Sequence, residues 1–489
     1  MKKNILLVTP PLGSPEPLFG LLLIEESLNN HGHNVDTFDA NLDLYTQFSE
    51  HPEWENMKIW SKNFGNHEKS TGKLHEFLHM LFDRWANIIS SKNSDIVGIS
   101  VFTIEHRIWV GWICYYLKKY NSDICIFLGG RGLSSPGQSY AEFGEYCINW
   151  QLADYYLNGE SEKEIIKFFD GTSEYVNVPD DFFINDDLNH ASFTRWNPEN
   201  FSKYQIVSKW HADFENPEHS RIDVSEWKQH NVLTATRGCV KRCTFCDVHL
   251  MRPKFSMRDP KNIAEEIIYV YEKYGINFNY FTDEMINGSN KQFMQWLEIL
   301  AEYISKHNIE GEITWKSQFG IKKQRSTPLE MFDLLKVTGA RLSIGIDHFS
   351  NTVLKHMKKL YTQDDIFYYL DNLNSRSVQI HPMLLIIGYP TETFEDFDEF
   401  KKCLKRLKNF KNTVNYVELG RTCSIPVGSE LMSLSGMHMG NSQHDWYYEK
   451  NPVLTNKEKW RRRSECEDIL QKIGIPISIH TMNHLIKHD

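Results

Sequence analysis

Three cysteines, Cys239, Cys243 and Cys246, fall within one short stretch, RGCVKRCTFCDV, directly after the apolar strand pattern VLTATRG. A loop must therefore leave a strand end and turn three thiols inward. Spacings of four and three residues suit this, as in the short cysteine runs of iron–sulfur proteins. Such a trio holds three irons of a cubane and leaves the fourth iron for another ligand. Two alternatives stay open on the residues alone. A structural zinc site needs a fourth protein ligand, for which His249 is the nearby candidate. A disulfide beside a free buried cysteine would need an oxidising compartment, to which nothing in the chain points. The other six cysteines, Cys114, Cys125, Cys147, Cys403, Cys423 and Cys466, lack ligand spacing and read as small buried hydrophobes.

The chain has 489 residues, 41% hydrophobic and 24% charged, enough for two or three globular domains. A formal charge of −10 argues against a protein that relies on counterion release from nucleic acid. The longest apolar runs, LFGLLLI and MLLII, have strand or half-helix length, and no basic segment feeds an apolar one. The expectation is a cytoplasmic protein with no signal peptide and no membrane span. The basic run KWRRR at 459–463 reads as the solvated face of a C-terminal helix.

The fold class expected is α/β. NILLVTPP, HNVDTFDA, DIVGIS and DICIFLGG read as strands, with helices at Leu18–Asn30 and VGWICYYLKKY, which predicts a Rossmann-like, doubly wound parallel sheet over residues 1–175. Ligands of such sheets collect beyond the strands' carboxyl ends. Those ends carry Pro10, Pro11 and Gly13, then Ser100 to Thr103, then Gly129, Gly130, Arg131 and Gly132. The absence of a GxGxxG pattern argues against nicotinamide or flavin. Residues 176–230 read as an inter-domain segment rich in Asp, Asn and aromatics. A second pattern over 231–430 gives six strand–helix units, a partial (β/α)6 TIM-like barrel with its chemistry at the strand tops. Residues 431–489 read as a small helical cap or tail.

These residues resemble the cobalamin-binding subgroup of the radical S-adenosylmethionine superfamily. The resemblance rests on the cysteine motif with Phe245 before its third cysteine, Pro10-Pro11, Gly129-Gly130, YYLNGESE at 155–162, TATRGC, TDE at 282–284, SIGID at 343–347, GYPTET at 388–393 and IPVGSEL at 425–431, and spans roughly residues 4–435. It implies a 4Fe–4S cluster on Cys239, Cys243 and Cys246, with S-adenosylmethionine chelating the open iron. Phe245 would lie near the adenine and the 281–285 strand end near the methionine moiety, with Asp283, Glu284 and Lys316 as polar contacts. Asp347 stands where the family often has a glutamate at the ribose. Gly388, Pro390 and Thr391 would form the glycine-rich turn beside the adenine, and Arg237 is a further candidate contact.

Cobalamin is implied for the first domain, near Gly13, Thr103, Gly129 and Gly130. No Asp-x-His-x-x-Gly motif is present, and His31 in NNHGHN matches a helix-to-strand turn rather than a cobalt ligand. The implied reaction is methylation of an unactivated carbon: a 5′-deoxyadenosyl radical abstracts hydrogen, methylcobalamin gives its methyl, and a second S-adenosylmethionine remethylates cob(I)alamin. The alternative is a non-methylating enzyme of the same fold catalysing oxidation, cyclisation or rearrangement. A reducing partner such as flavodoxin or ferredoxin is implied, with a small metabolite, lipid or peptide as substrate. Cys423, near the sixth strand end, is a candidate catalytic thiol against a packing role.

Overall fold

The computed structural model describes residues 2–11, 19–63, 65, 72–135, 140–172, 176–180, 188–189, 230–420, 422–440 and 442–477. Gly13 and most of the 176–230 segment lie outside the described residues. The chain divides into two compact units, one built mainly from residues before 229 and the other mainly from residues after it.

The first unit holds five parallel strands: β1 (Asn4–Thr9), β2 (Asn34–Asp39), β3 (Ile96–Ser100), β4 (Ile126–Gly130) and β5 (Tyr155–Asn158). Their order, β2-β1-β3-β4-β5, is that of flavodoxin-like sheets, with the switch point between β1 and β3. Both faces are covered. Leu6 and Val8 of β1 join one apolar cluster and Ile5 and Leu7 join another, as a period of two demands. Between β2 and β3, where sequence reading placed no elements, lie the helices Ala40–Phe48, Trp54–Lys62 and Gly72–Ser91. The last buries Leu74, Phe77, Leu78, Leu81, Phe82, Trp85 and Ile89, an apolar stripe at helical spacing.

The second unit is a six-stranded parallel sheet of β6 (His230–Leu233), β9 (Phe278–Phe281), β10 (Thr314–Phe319), β11 (Ala340–Asp347), β12 (Gln379–Leu385) and β13 (Val417–Leu419), each beside its predecessor. Helices Pro260–Tyr274, Asn290–His307, Leu329–Val337, Gln363–Ser375 and Phe394–Arg406 alternate with the strands, which is the partial-barrel plan. Asp259, Ser289, Thr362 and Thr393 cap four of them, the last two through reciprocal capping boxes. Phe281, Trp296 and Trp315 pack edge-on in the core, the two indoles 4.9 Å apart. Each fully buried Leu, Ile or Phe there is worth roughly 2 kcal/mol over an exposed one. A two-stranded clip, β7 (Thr236–Arg237) with β8 (Ser256–Met257), closes the neck of the cysteine loop.

The C-terminal part carries a hairpin, β14 (Met437–Met439) with β15 (Trp446–Tyr448), and the helix Asn456–Ile473. The expectation for KWRRR is overturned: Lys459, Arg462 and Arg463 are buried, and of the three arginines only Arg461 is well exposed. Arg462 and Arg463 each pair with a carboxylate of their own helix, Glu458 and Glu467, and all three cations also reach groups outside it: Trp446 O, the carboxylate of Glu392 and Gly420 O. Among the described residues no helix is long and apolar enough to cross a membrane.

Candidate functional site

The acidic pair of TDE fixes the start of the cysteine loop. Asp283 Oδ1 accepts the amides of Ala235 and Thr236, each at 2.9 Å, and Glu284 Oε2 accepts the amide of Gly238 at 2.9 Å. Burial pushes the Asp283 carboxyl up to about 8 against the pull of those two donors. Gly238 has φ +83°, and a Cβ there would run into Lys254 O. Both carboxylates therefore grip backbone of this chain, a role that sequence alone did not suggest.

Within the loop, Cys239 Sγ accepts the amide of Lys241 at 3.4 Å and Cys243 is buried. Burial raises the Cys239 and Cys246 thiols, the latter to about 11, so metal binding must release their protons. Two lysines lie close by. Lys241 donates to Ile321 O at 3.1 Å with its ammonium 4.6 Å from the centre of the Tyr361 ring, and burial, with Lys359 nearby, lowers it to about 8. Lys359 pairs with Asp347 and stands 5.3 Å from the Phe245 ring centre. Asp347 adopts φ +63°, a conformation aspartate tolerates better than most side chains.

Three soft thiolates on one loop beside two lysines fit an anionic thiolate-bound cluster. A cubane asks each thiolate to reach a different iron.

At the end of β12 the glycine turn takes shape. Gly388 has φ +72°, and its amide and that of Tyr389 donate to Glu392 Oε2 at 2.8 and 3.1 Å. Pro390 is buried, and its carbonyl accepts Asn451 Nδ2 at 3.0 Å. Phe245, Tyr389, Cys423, Ile425, Leu431 and Trp446 form one apolar cluster, which brings the cysteine loop, the turn and the C-terminal hairpin together. Cys423 is fully buried in it, and burial raises its thiol. Thr391 Oγ1 bonds His356 Nδ1 at 2.7 Å.

Lys316 lines a cavity of about 170 Å³ together with Tyr280, Phe281, Gln318, Ser343, Tyr416 and Glu418 among others. These residues come from β9, β10, β11 and the β13 region. Burial lowers the Lys316 ammonium, and Glu418 opposes the shift. Neither charge has an ion-pair partner among the described residues, Lys316 resting 5.8 Å from the Tyr280 ring centre. Most TIM-barrel interiors are filled with branched apolar side chains, so a charged, open interior marks a binding cavity.

In the first unit, the loops after β3 and β4 are packed together. Gly132 N donates to Val101 O at 2.7 Å, and a Cβ at Gly130 would stand 2.6 Å from that carbonyl. Gly129 has no such neighbour. Among the described residues Thr103 Oγ1 is buried without a hydrogen-bond partner, and Phe102 beside it is exposed. An orphan hydroxyl and an exposed ring at the carboxyl ends fit a large amphiphilic ligand. The His31 ring bonds Ser27 O of the preceding helix, at 2.8 Å.

Buried His106 accepts the Phe102 amide through Nδ1 at 2.9 Å, and burial lowers it from 6.5 to about 4. The unfolded chain binds this proton more readily, so stability is complete above about 6.5 and declines as pH falls towards about 4. Hydrogen exchange at β1 and β3 should accelerate across that window in wild type and do so less in His106→Gln; equal acid sensitivity would refute the assignment.

Residues 233–404 match the family model of the Radical SAM superfamily. The tRNA-2-methylthio-N(6)-dimethylallyladenosine synthase of Hydrogenobaculum sp. (strain Y04AAS1) is 31% identical over 178 residues, 34% of this chain and 38% of that protein. The matched segment thus spans well under half the length of such relatives. Two solved structures align over nearly the whole chain. The radical S-adenosylmethionine methyltransferase TsrM from Kitasatospora setae, with tryptophan substrate and a S-adenosylmethionine analogue bound, gives a TM-score of 0.58 at 13% identity, covering 94% of this chain and 83% of that one. The cobalamin-dependent S-adenosylmethionine radical enzyme OxsB, with aqua-cobalamin and S-adenosylmethionine bound, gives 0.53 at 15% identity, covering 98% and 58%. At these identities the likeness is one of fold.

Proposed function

We propose, for a chain whose residues 233–404 match the radical SAM family model, that it is a cobalamin-dependent enzyme methylating an unactivated carbon. The observation that carries this reading is the three-cysteine loop at the head of the six-stranded sheet, in a chain that also has a flavodoxin-order unit with an orphan hydroxyl at its strand ends. When bound, a 4Fe–4S cluster supplies the electron that cleaves S-adenosylmethionine, and cobalamin the methyl group. A reductant of the flavodoxin or ferredoxin class belongs to this proposal.

The chain's own part is placement and exclusion of water. Asp283, Glu284 and Gly238 fix where the loop leaves the sheet. Lys241 would offset part of the negative charge of bound thiolates, which would make reduction easier, while the charge of Lys359 is met by Asp347. Phe245 and the turn from Gly388 to Thr391 would flank the adenine. Gly129, Gly130 and Thr103 would floor the cobalamin site.

Lys316 and Glu418 would face the substrate, which favours a charged small molecule or peptide over a lipid. Lys316→Met should keep its iron and its substrate-free cleavage of S-adenosylmethionine while product formation falls about tenfold or more, the worth of a hydrogen bond to a charged group. Unchanged product formation, read by mass spectrometry, would remove Lys316 from the substrate site.

The reaction is tested with methyl-labelled S-adenosylmethionine. Methylation requires both S-adenosylhomocysteine, from remethylation of reduced cobalamin, and 5′-deoxyadenosine. Deoxyadenosine alone would shift the assignment to the non-methylating alternative.

A further inference from the structure

The basic run of the C-terminal helix is connected to the cysteine loop by a continuous path of buried contacts. Arg462 Nη1 donates to Glu392 Oε1 at 2.8 Å and to the carbonyls of Glu392 and Thr393, both at 3.3 Å. The other oxygen of Glu392 accepts the amides of Gly388 and Tyr389. Tyr389 then reaches back across the strand ends, its hydroxyl 2.7 Å from Thr244 Oγ1 and 3.1 Å from His356 O. Thr244 stands between Cys243 and Cys246, and its carbonyl accepts the Leu431 amide at 3.0 Å.

Two more contacts hold the helix over the same ground. Lys459 donates to Trp446 O at 3.2 Å, its ammonium lies 3.6 Å from the Trp446 ring centre, and a Cβ on Gly388 would come within 2.8 Å of its Cγ. Arg463 Nε donates to Gly420 O at 3.0 Å, just past β13. Three cationic side chains are thus buried in one short stretch, an expensive arrangement unless each is held by well-placed partners.

We propose that Arg462 is a positioning residue: through Glu392 and Tyr389 it fixes Thr244 and the segment between the second and third cysteines, so that the helix Asn456–Ile473 clamps both the cysteine loop and the glycine turn. This assigns a role to residues 431–473, which the resemblance to the family leaves largely unexplained. It rests on the proposed reading only in calling the loop a cluster site, since the contacts themselves need no cofactor. The path also states which atom matters at each step. Removing the Tyr389 hydroxyl takes away its bonds to Thr244 Oγ1 and His356 O and leaves the Arg462–Glu392 ion pair and the two turn amides on Glu392 in place.

Hydrogen exchange of the full-length, cluster-free protein tests the clamp. Tyr389→Phe should retain the wild-type melting temperature within a few degrees, yet speed exchange at the amides of residues 243–246 by about tenfold, the loss of one buried hydrogen bond. Arg462→Met should do the same and also loosen 388–393, with Arg462→Lys intermediate. After reconstitution, the electron paramagnetic resonance signal of the reduced cluster should change its response to added S-adenosylmethionine in Tyr389→Phe at unchanged iron content. A folded Tyr389→Phe with wild-type exchange at 243–246 overturns the clamp. Failure of wild-type protein to take up iron would instead count against the cluster reading, while the exchange result still decides the clamp.

Discussion

Alanine at any one of Cys239, Cys243 or Cys246 is expected to reduce bound iron from about four per chain to well below one and to bring S-adenosylmethionine cleavage to background. Each thiolate would serve a different iron, so none can replace another. The loop lies outside the sheet's apolar core, so the same variants should melt near the wild-type temperature. Alanine at Cys403 or Cys466, both buried in that core, should show the opposite pattern: normal iron and a lower melting temperature. Iron retained in a Cys243→Ala protein, or lost in Cys403→Ala at unchanged stability, would break the assignment of ligands.

A single methyl group one residue before the motif is expected to do nearly as much damage. Gly238→Ala must hold φ +83°, which costs roughly 1–2 kcal/mol for a residue with a Cβ, and the new carbon meets Lys254 O. The β7–β8 clip fixes both ends of the loop, so the strain cannot be relieved by a small shift at one end. Relief requires releasing the Gly238 amide from Glu284, which moves Cys239. Cluster loss to a chelator should be at least tenfold faster than in wild type, by the measure of that strain. Wild-type retention in Gly238→Ala would show that the loop start does not set the cluster geometry.

Much of this was legible in the sequence. Strands such as β1 and β11 read as short apolar runs and others, such as β10, alternate, so four of the five strands in the first sheet and all six of the second stood out, and the cysteine spacing marked its own loop. Long-range pairing was not legible. Nothing in KWRRR reveals that Arg462 meets Glu392, or that Gly420 O receives Arg463, and a charge run isolated from its partners looks like a solvated face. The same limit hid the roles of Asp283 and Glu284. Their positions in TDE suggested cofactor contacts, while their oxygens hold the amides of Ala235, Thr236 and Gly238. Lys241 and Tyr389 were visible inside recognised motifs but carried no signal of burial or partner. The three helices between β2 and β3 went unread because the segment's aromatic and polar residues blur its period, although the stripe in Gly72–Ser91 was there to be counted.

Whether cobalamin is bound is settled by cobalt content. The full-length protein would be purified without oxygen, reconstituted with iron and sulfide in the presence of hydroxocobalamin, desalted, and assayed for both metals by elemental analysis and absorbance. Close to one cobalt per chain beside about four irons is expected. An intact cluster with no retained cobalt would contradict that expectation, leaving the first unit as a scaffold or substrate-binding module and the chemistry as radical but not methylating.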